Sequence, residues 1–130
     1  MTPSISVLCY TARNDHPFID RPDLHCFDLM AGSLATQTFG DFELILVDTL
    51  WEQRPDWFKE HPQPYPVKHV PSSPNFWHSL GRCGIVAQIN RGIAWCDGEL
   101  LFVGSESCIW PTHFLQLAWE LYQQGTIPVA

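Results

Sequence analysis

Three short apolar runs and one shorter segment with apolar ends divide the 130-residue chain into longer segments of mixed composition. The apolar runs cover residues 4–11, 42–48 and 99–104, and the shorter strand candidate, "VKHV", covers residues 67–70. Each has the length of a β-strand and contains β-branched or aromatic residues. The second run is apolar without interruption at its centre, which is typical of a parallel strand covered on both faces. We therefore predict that these runs form the strands of one buried sheet.

Three further segments carry apolar residues at helical spacing. We expect the first helix to begin near residues 20–23 and to end in a turn at Gly40. Its core-facing positions share one helical face and are Leu24, Phe27, Met30, Ala31 and Leu34. A second helix is predicted over residues 84–95. A third is expected to begin at Pro111, which suits a first helical turn, and to end before Gly125.

The elements alternate in the order β-α-β-loop-β-α-β-α, which predicts an α/β domain with a mostly parallel sheet flanked by helices. One domain over residues 1–130 is the expected organisation for this length. In such sheets, ligands bind outside the carboxyl ends of the strands. The expected binding edge therefore comprises residues 10–13, 48–51 and 104–107.

Composition narrows the range of functions. The chain carries seven Lys and Arg residues against 14 Asp and Glu residues, a net charge of -7, which argues against nucleic-acid binding because phosphate contacts need basic side chains. No apolar stretch reaches the roughly 18 residues of a membrane span. The five cysteines are widely spaced and form no Cys-x-x-Cys pair, so we expect reduced thiols in a cytoplasmic protein. No Gly-x-Gly-x-x-Gly follows the first strand, which argues against a Rossmann dinucleotide site.

Three stretches together resemble a known family: "SVLCYTARN", "SLATQTFGDFELILVD" and "NRGIAWCDGELLFVGSESCIWPTHFL". In order and spacing they are similar to the nucleotide-binding half of family-2 glycosyltransferases of the GT-A fold. The resemblance covers nearly the whole chain. It implies a nucleotide-diphospho-sugar transferase-like, Rossmann-like fold, a nucleotide-diphosphate sugar as the donor, and transfer of a hexosyl group with inversion. A divalent cation, Mg²⁺ or Mn²⁺, would stabilise the departing diphosphate.

The resemblance also implies site residues. It places Thr11 and Asp48 at the nucleoside and matches Asn90 to the family's Asn-x-Gly-Ile segment. Arg13 and Arg91 could approach the phosphates, so the predicted nucleotide-binding set is Thr11, Ala12, Arg13, Asp48, Thr49, Asn90 and Arg91. The metal would lie at the family's Asp-x-Asp position, which reads Ser105, Glu106 and Ser107 in this chain. Here only one carboxylate remains, and Thr49 replaces a second acid of the family pattern. A lone Glu with hydroxyl neighbours binds a hard cation weakly.

Each of these residues also has a structural interpretation. Asp48 could cap the loop that follows its strand, Glu106 could be an acid near a helix N-terminus, and Asn90 could bond the backbone. Five aromatic residues lie in the two long loops: Trp51, Trp57, Phe58, Phe76 and Trp77. They could stack on a base or sugar, or they could close the loops through hydrophobic packing.

Two functional hypotheses remain open from the sequence. The first is a glycosyltransferase, whose activity the degraded Asp-x-Asp position places in doubt. The second is a non-catalytic nucleotide-binding or interaction module of the same fold. We expect the acceptor-binding half, which would carry the catalytic base, to be absent from residues 1–130, so no catalytic residue is assigned. The apolar sheet edge that this leaves predicts possible homo-oligomerisation.

Overall fold

The structure, a computed structural model, describes residues 1–11, 17–18, 21–72 and 85–126. Its strands are β1 (Ile5–Thr11), β2 (Pro17–Phe18), β3 (Arg21–His25), β4 (Phe42–Asp48), β5 (Val67–Pro71) and β6 (Leu100–Ser105). Its helices are α1 (Cys26–Ala35), α2 (Trp57–Glu60), α3 (Ile85–Ile93) and α4 (Phe114–Gln123), with a 3-10 turn at Trp51–Gln53.

Four parallel strands form the main sheet in the order β5-β4-β1-β6. This confirms the predicted α/β class. The strand order runs outward from β1 to β5 and then returns to β6 on the opposite side of β1. It therefore reverses between β1 and β6, and such a reversal is where open α/β sheets bind ligands.

Helices cover both faces of this sheet. On one face, α1 and α4 enclose the larger core, in which Val7 of β1 and Leu44 of β4 pack with Met30 and Leu115. We call this the α1/α4 face. On the other face, the α3 face, Ile89 packs against a smaller cluster formed by Leu8, Ile45, Val47 and Val70. The core positions predicted for the first helix from Phe27 to Leu34 are buried as expected.

The first helix begins later than predicted. Residues 21–25 form β3, which pairs antiparallel with β2, and α1 begins at Cys26. The sequence was ambiguous here because the fixed φ of Pro22 suits an extended strand as well as a first helical turn. The apolar spacing from Phe27 onward is sufficient to define the buried face of the helix, and Leu24 belongs to the hairpin instead.

A glycine lets α3 lie close to the sheet. A Cβ atom on Gly92 would lie 2.2 Å from Leu8 Cδ1 and 2.8 Å from Val47 Cγ2. Both of those side chains are fully buried. The glycine of the Asn-x-Gly stretch is therefore explained by helix–sheet packing.

A buried polar network fixes the amino-terminal edge of the sheet on the α3 face. The Glu43 carboxylate accepts hydrogen bonds from Ser6 Oγ at 2.7 Å and from the backbone N–H of Asp97 at 2.9 Å. It also forms an ion pair with Lys68 at 2.8 Å. The N–H of Gly98 donates to Ser6 Oγ at 2.8 Å. These contacts join β1, β4, β5 and the turn that leads into β6.

The end of α1 holds the segment that connects β6 to α4. Ser33 Oγ accepts the backbone N–H of Trp110 at 3.0 Å. The amide of Gln37 donates to the carbonyl of Pro111 at 2.7 Å and accepts the N–H of Leu115 at 3.2 Å. Two polar residues of the "SLATQT" stretch therefore position the start of α4.

Strand β6 is one edge of the main sheet among the described residues, and β5 is the other. On the α3 face of β6, Leu101 and Val103 are 38% and 45% exposed. This apolar edge is compatible with the expected homo-oligomer, which stays a prediction. Within the described ranges, none of the helices has the length and apolar character required to cross a membrane.

The packing of α3 gives a first prediction. Replacing Gly92 with Ala should lower the free energy of unfolding by about 1–3 kcal/mol, because the added methyl group overpacks a filled core. The matched control is Gly32→Ala, since a Cβ at that exposed position of α1 meets no atom within 4 Å. That change should raise stability by about 0.5–1 kcal/mol through helix propensity. Urea unfolding measures both, and a neutral Gly92→Ala would contradict the packing argument.

Candidate functional site

The carboxyl ends of three strands bring several predicted site residues to one edge of the sheet. Thr11 of β1 lies opposite Asp48 of β4. The backbone N–H of Glu106, just after β6, donates to the carbonyl of Tyr10 at 3.2 Å. Thr11, Asp48 and Glu106 are all buried. Acidic and hydroxyl groups are thus gathered beside the reversal of strand order.

The Asp48 carboxylate is surrounded by donors. Arg54 binds it with two hydrogen bonds, from Nε to Oδ2 at 2.6 Å and from Nη2 to Oδ1 at 2.9 Å. His69 Nε2 lies 2.9 Å from Oδ2, and the N–H of Leu50 donates to Oδ1 at 2.9 Å. An ionised carboxylate offers about four acceptor positions, and these four contacts occupy them.

These donors set the ionisation of Asp48. Burial alone would raise the pKa of this carboxyl, because a charge is unfavourable in a medium of low polarity. The hydrogen bonds from His69 and Arg54, and the charge of the Arg54 guanidinium, outweigh that effect. The pKa of Asp48 therefore lies below its ordinary value, and the group is an ionised, internally paired acid at neutral pH.

Sequence reasoning missed Arg54 and His69. Arg54 follows Asp48 by six positions in a Pro- and aromatic-rich segment that we treated as a loop. His69 lies in the predicted short strand, where alternation places it on the same face as Val67. That alternation, combined with the pairing of β4 with β5, is the signal that could have brought His69 to Asp48.

Aromatic side chains enclose this ion pair. The Trp57 ring packs edge-on against Phe27 with centroids 4.8 Å apart, and the Arg54 guanidinium lies 4.9 Å from the Phe27 centroid. Phe58 lies 5.3 Å from the His69 ring. Trp57 and Phe58 therefore act in closing the loop between β4 and β5.

Of the other residues predicted to bind the nucleotide, Thr49 and Arg91 lie at the carboxyl edge of the sheet, and Asn90 lies on α3. Thr49 donates from both its N–H and its hydroxyl to the carbonyl of Thr11, each at 3.1 Å, which extends the strand pairing. Arg91 reaches the carboxyl edge, where its Nε donates to the carbonyl of Pro71 at 2.6 Å. Asn90 is exposed on α3. The remaining members of the predicted set, Ala12 and Arg13, lie outside the described residues, as do Phe76 and Trp77.

The predicted metal position is a tight turn after β6. The hydroxyl of Ser105 accepts the N–H of Ser107 at 3.2 Å, and Glu106 is 8% exposed. Across the part of the chain that the structure describes, no group of three or more His, Cys, Asp and Glu residues could hold a metal ion. Mg²⁺ and Mn²⁺ require several oxygen ligands with compensating charge, so one carboxylate with two hydroxyl neighbours fits such an ion poorly.

Comparison with solved structures identifies the fold. The chain matches the crystal structure of S. aureus TarS, a glycosyltransferase, with a TM-score of 0.66 and 17% sequence identity. The match covers 93% of this chain and 20% of TarS, so the chain spans about a fifth of that protein. The protein has a glycosyltransferase-like α/β fold. No protein-family model matches the sequence, and no curated protein matches it.

The buried ion pair gives a second prediction. Near pH 7, Asp48→Asn should destabilise the protein by about 3–5 kcal/mol, because it leaves the Arg54 charge without its partner. The deficit should shrink as the pH falls below about 4, since a carboxyl with a lowered folded-state pKa stabilises above its unfolded pKa and loses that contribution as it is protonated. Urea unfolding at several pH values measures this.

Asp56→Asn is the control for this experiment. Asp56 pairs with Lys59 on the surface, and exposed pairs contribute little. A deficit for Asp48→Asn that is small, or that grows in acid, would show that the ion pair does not stabilise the fold.

Proposed function

We propose that this chain binds a nucleotide-diphosphate sugar at the carboxyl edge of its sheet and forms the nucleotide-binding part of a glycosyltransferase. The observation that carries the proposal is the position of Thr11, Asp48 and Glu106 on three strand ends beside the β1/β6 reversal of a glycosyltransferase-like sheet. Open α/β sheets bind ligands at such a place.

Two arginines support an anionic ligand at this edge. Arg91 reaches the end of β5 from the α3 face, and Arg13 follows β1 in the sequence. Guanidinium groups bind phosphate oxygens with two parallel hydrogen bonds. We propose that Arg91, Arg13 and the backbone around Ala12 approach the diphosphate, while Thr11 and Thr49 line the nucleoside end.

In this proposal the sugar is transferred to an acceptor hydroxyl with inversion at the anomeric carbon, and the nucleoside diphosphate departs. Because the residues around Glu106 fit a divalent cation poorly, we assign no step to a metal. Positive side chains at the edge would instead stabilise the charge of the departing diphosphate.

A second candidate is a non-catalytic nucleotide-binding module of the same fold. Two observations favour it: Arg54, His69 and Leu50 already occupy the acceptor positions of Asp48, and Glu106 is the single acid at the predicted metal position. Such a module would bind the nucleotide and leave the sugar in place.

Thermal unfolding with a panel of uridine, guanosine, adenosine and cytidine diphosphate sugars tests the proposal. A ligand that binds only the folded state at 100 times its Kd stabilises it by about 2.7 kcal/mol, which is a rise of several degrees in Tm. We expect such a rise with at least one donor. A rise accompanied by release of free nucleoside diphosphate without added metal would favour the enzyme as proposed, and a rise without turnover would favour the module.

Two variants sharpen this test. Arg91→Ala should reduce the ligand-induced rise, whereas Lys59→Ala, which removes one positive charge from an exposed side chain, should leave it unchanged. The absence of a response to every donor would contradict both candidate functions.

A further inference from the structure

One ring nitrogen beside the Asp48 ion pair is buried without a hydrogen bond. The His69 side chain is 9% exposed. Its Nε2 contacts Asp48 Oδ2 at 2.9 Å, whereas its Nδ1 is buried and has no hydrogen-bond partner among the described residues. Buried polar atoms are rarely left in this state, and each one calls for an explanation.

The surrounding charges define what this nitrogen can do. An ionised carboxylate only accepts hydrogen bonds, so Nε2 of His69 must donate to Asp48. Arg54 already compensates the carboxylate charge, and a second cation in this buried cluster would lie beside the guanidinium. The contact with Asp48 therefore places the proton of the neutral ring on Nε2, and Nδ1 is then an acceptor.

We propose that Nδ1 of His69 accepts a hydrogen bond from the ring N–H of the nucleobase, and that Asp48 fixes the imidazole tautomer instead of contacting the base. This inference rests on the proposed function, because it assumes that a nucleotide enters this edge. Asp48 has no acceptor position left for a base, whereas its neighbour His69 has one.

The chemistry of this acceptor selects a class of donor substrate. Uracil and thymine present N3–H and guanine presents N1–H, whereas adenine and cytosine in nucleotides present no ring N–H and could donate only from their amino groups. A ring N–H contact therefore predicts a uridine, thymidine or guanosine diphosphate sugar, and adenosine and cytidine nucleotides test the amino group as the alternative donor. Trp51, half-buried with its ring 6.5 Å from that of His69, offers the base a stacking surface.

Nitrogen NMR of the histidine rings in the full chain tests the inference directly. We expect the Nε2–H tautomer for His69 in the free protein. Addition of uridine diphosphate should shift the Nδ1 resonance, and N3-methyluridine diphosphate, which lacks the ring N–H, should not. We expect the methylated analogue to bind at least about tenfold more weakly, the loss of roughly one good hydrogen bond.

His69→Phe is the variant of choice, because it keeps a planar ring and removes both ring nitrogens, while Arg54 and the N–H of Leu50 still bind Asp48. It should bind uridine diphosphate and its N3-methyl analogue equally. His61→Gln, at an exposed site, should keep the wild-type preference.

The possible failures are distinguishable. Uridine or guanosine diphosphate could bind while His69 has the opposite tautomer. It could also bind without shifting the Nδ1 resonance and with no preference over the N3-methyl analogue. Either result overturns the inference and leaves the proposed function standing. If no uridine or guanosine nucleotide binds while adenosine or cytidine nucleotides do, the base assignment is wrong. If no nucleotide binds at all, both the inference and the proposed function fail.

Discussion

The arrangement of the sheet depends on the contacts that the buried Glu43 carboxylate makes with its neighbours. This carboxylate joins Ser6 of β1, Lys68 of β5 and the turn at Asp97, and so fixes β1, β4 and β5 relative to the strand that follows. A buried charge is tolerated only when it is paired and fully hydrogen-bonded. The loss of any of these partners would leave the buried charge less well compensated, so these contacts stabilise the alignment of β1, β4 and β5 at the amino-terminal edge.

A second buried and paired carboxylate lies at the opposite edge of the sheet, on the other face. Asp48, at the far end of the same strand, is paired with Arg54 and His69 on the α1/α4 face. The two acids of β4 are thus held by neighbouring residues of β5, since Lys68 and His69 point to opposite faces. One of the two clusters is fully satisfied within the fold. The other leaves a ring nitrogen buried beside the proposed ligand edge, which is why the proposals concentrate there.

The motifs that resemble family-2 glycosyltransferases act mainly in packing. Ser33 and Gln37 hold the start of α4, and Gly92 admits α3 to the sheet. Such residues identify a fold, and the likeness to TarS supports the same fold. They carry little information about chemistry, because a chain can keep its packing while its charged groups change. Fold and activity therefore have to be argued from different residues of this protein.

The strands of the main sheet and the α/β class could be predicted from sequence because they depend on local apolar runs. The burial of Leu46, for example, follows from its place at the centre of such a run. The antiparallel pairing of β2 with β3 was missed, since Pro22 is compatible with both a strand and a first helical turn. The pairing of Asp48 with Arg54 and His69 was missed because a single sequence does not reveal which strands are neighbours in the sheet, nor how the loop between them folds back.

The alternation of Lys68 and His69 has a consequence for how the chain finds its fold. In a strand, a slip of one residue exchanges the two faces. A slip of β5 against β4 would turn the Lys68 ammonium away from Glu43 and the imidazole of His69 away from Asp48, so each buried acid would lose its partner on β5. The two contacts thus act together to fix the register of a five-residue strand whose apolar side chains alone would specify its alignment weakly.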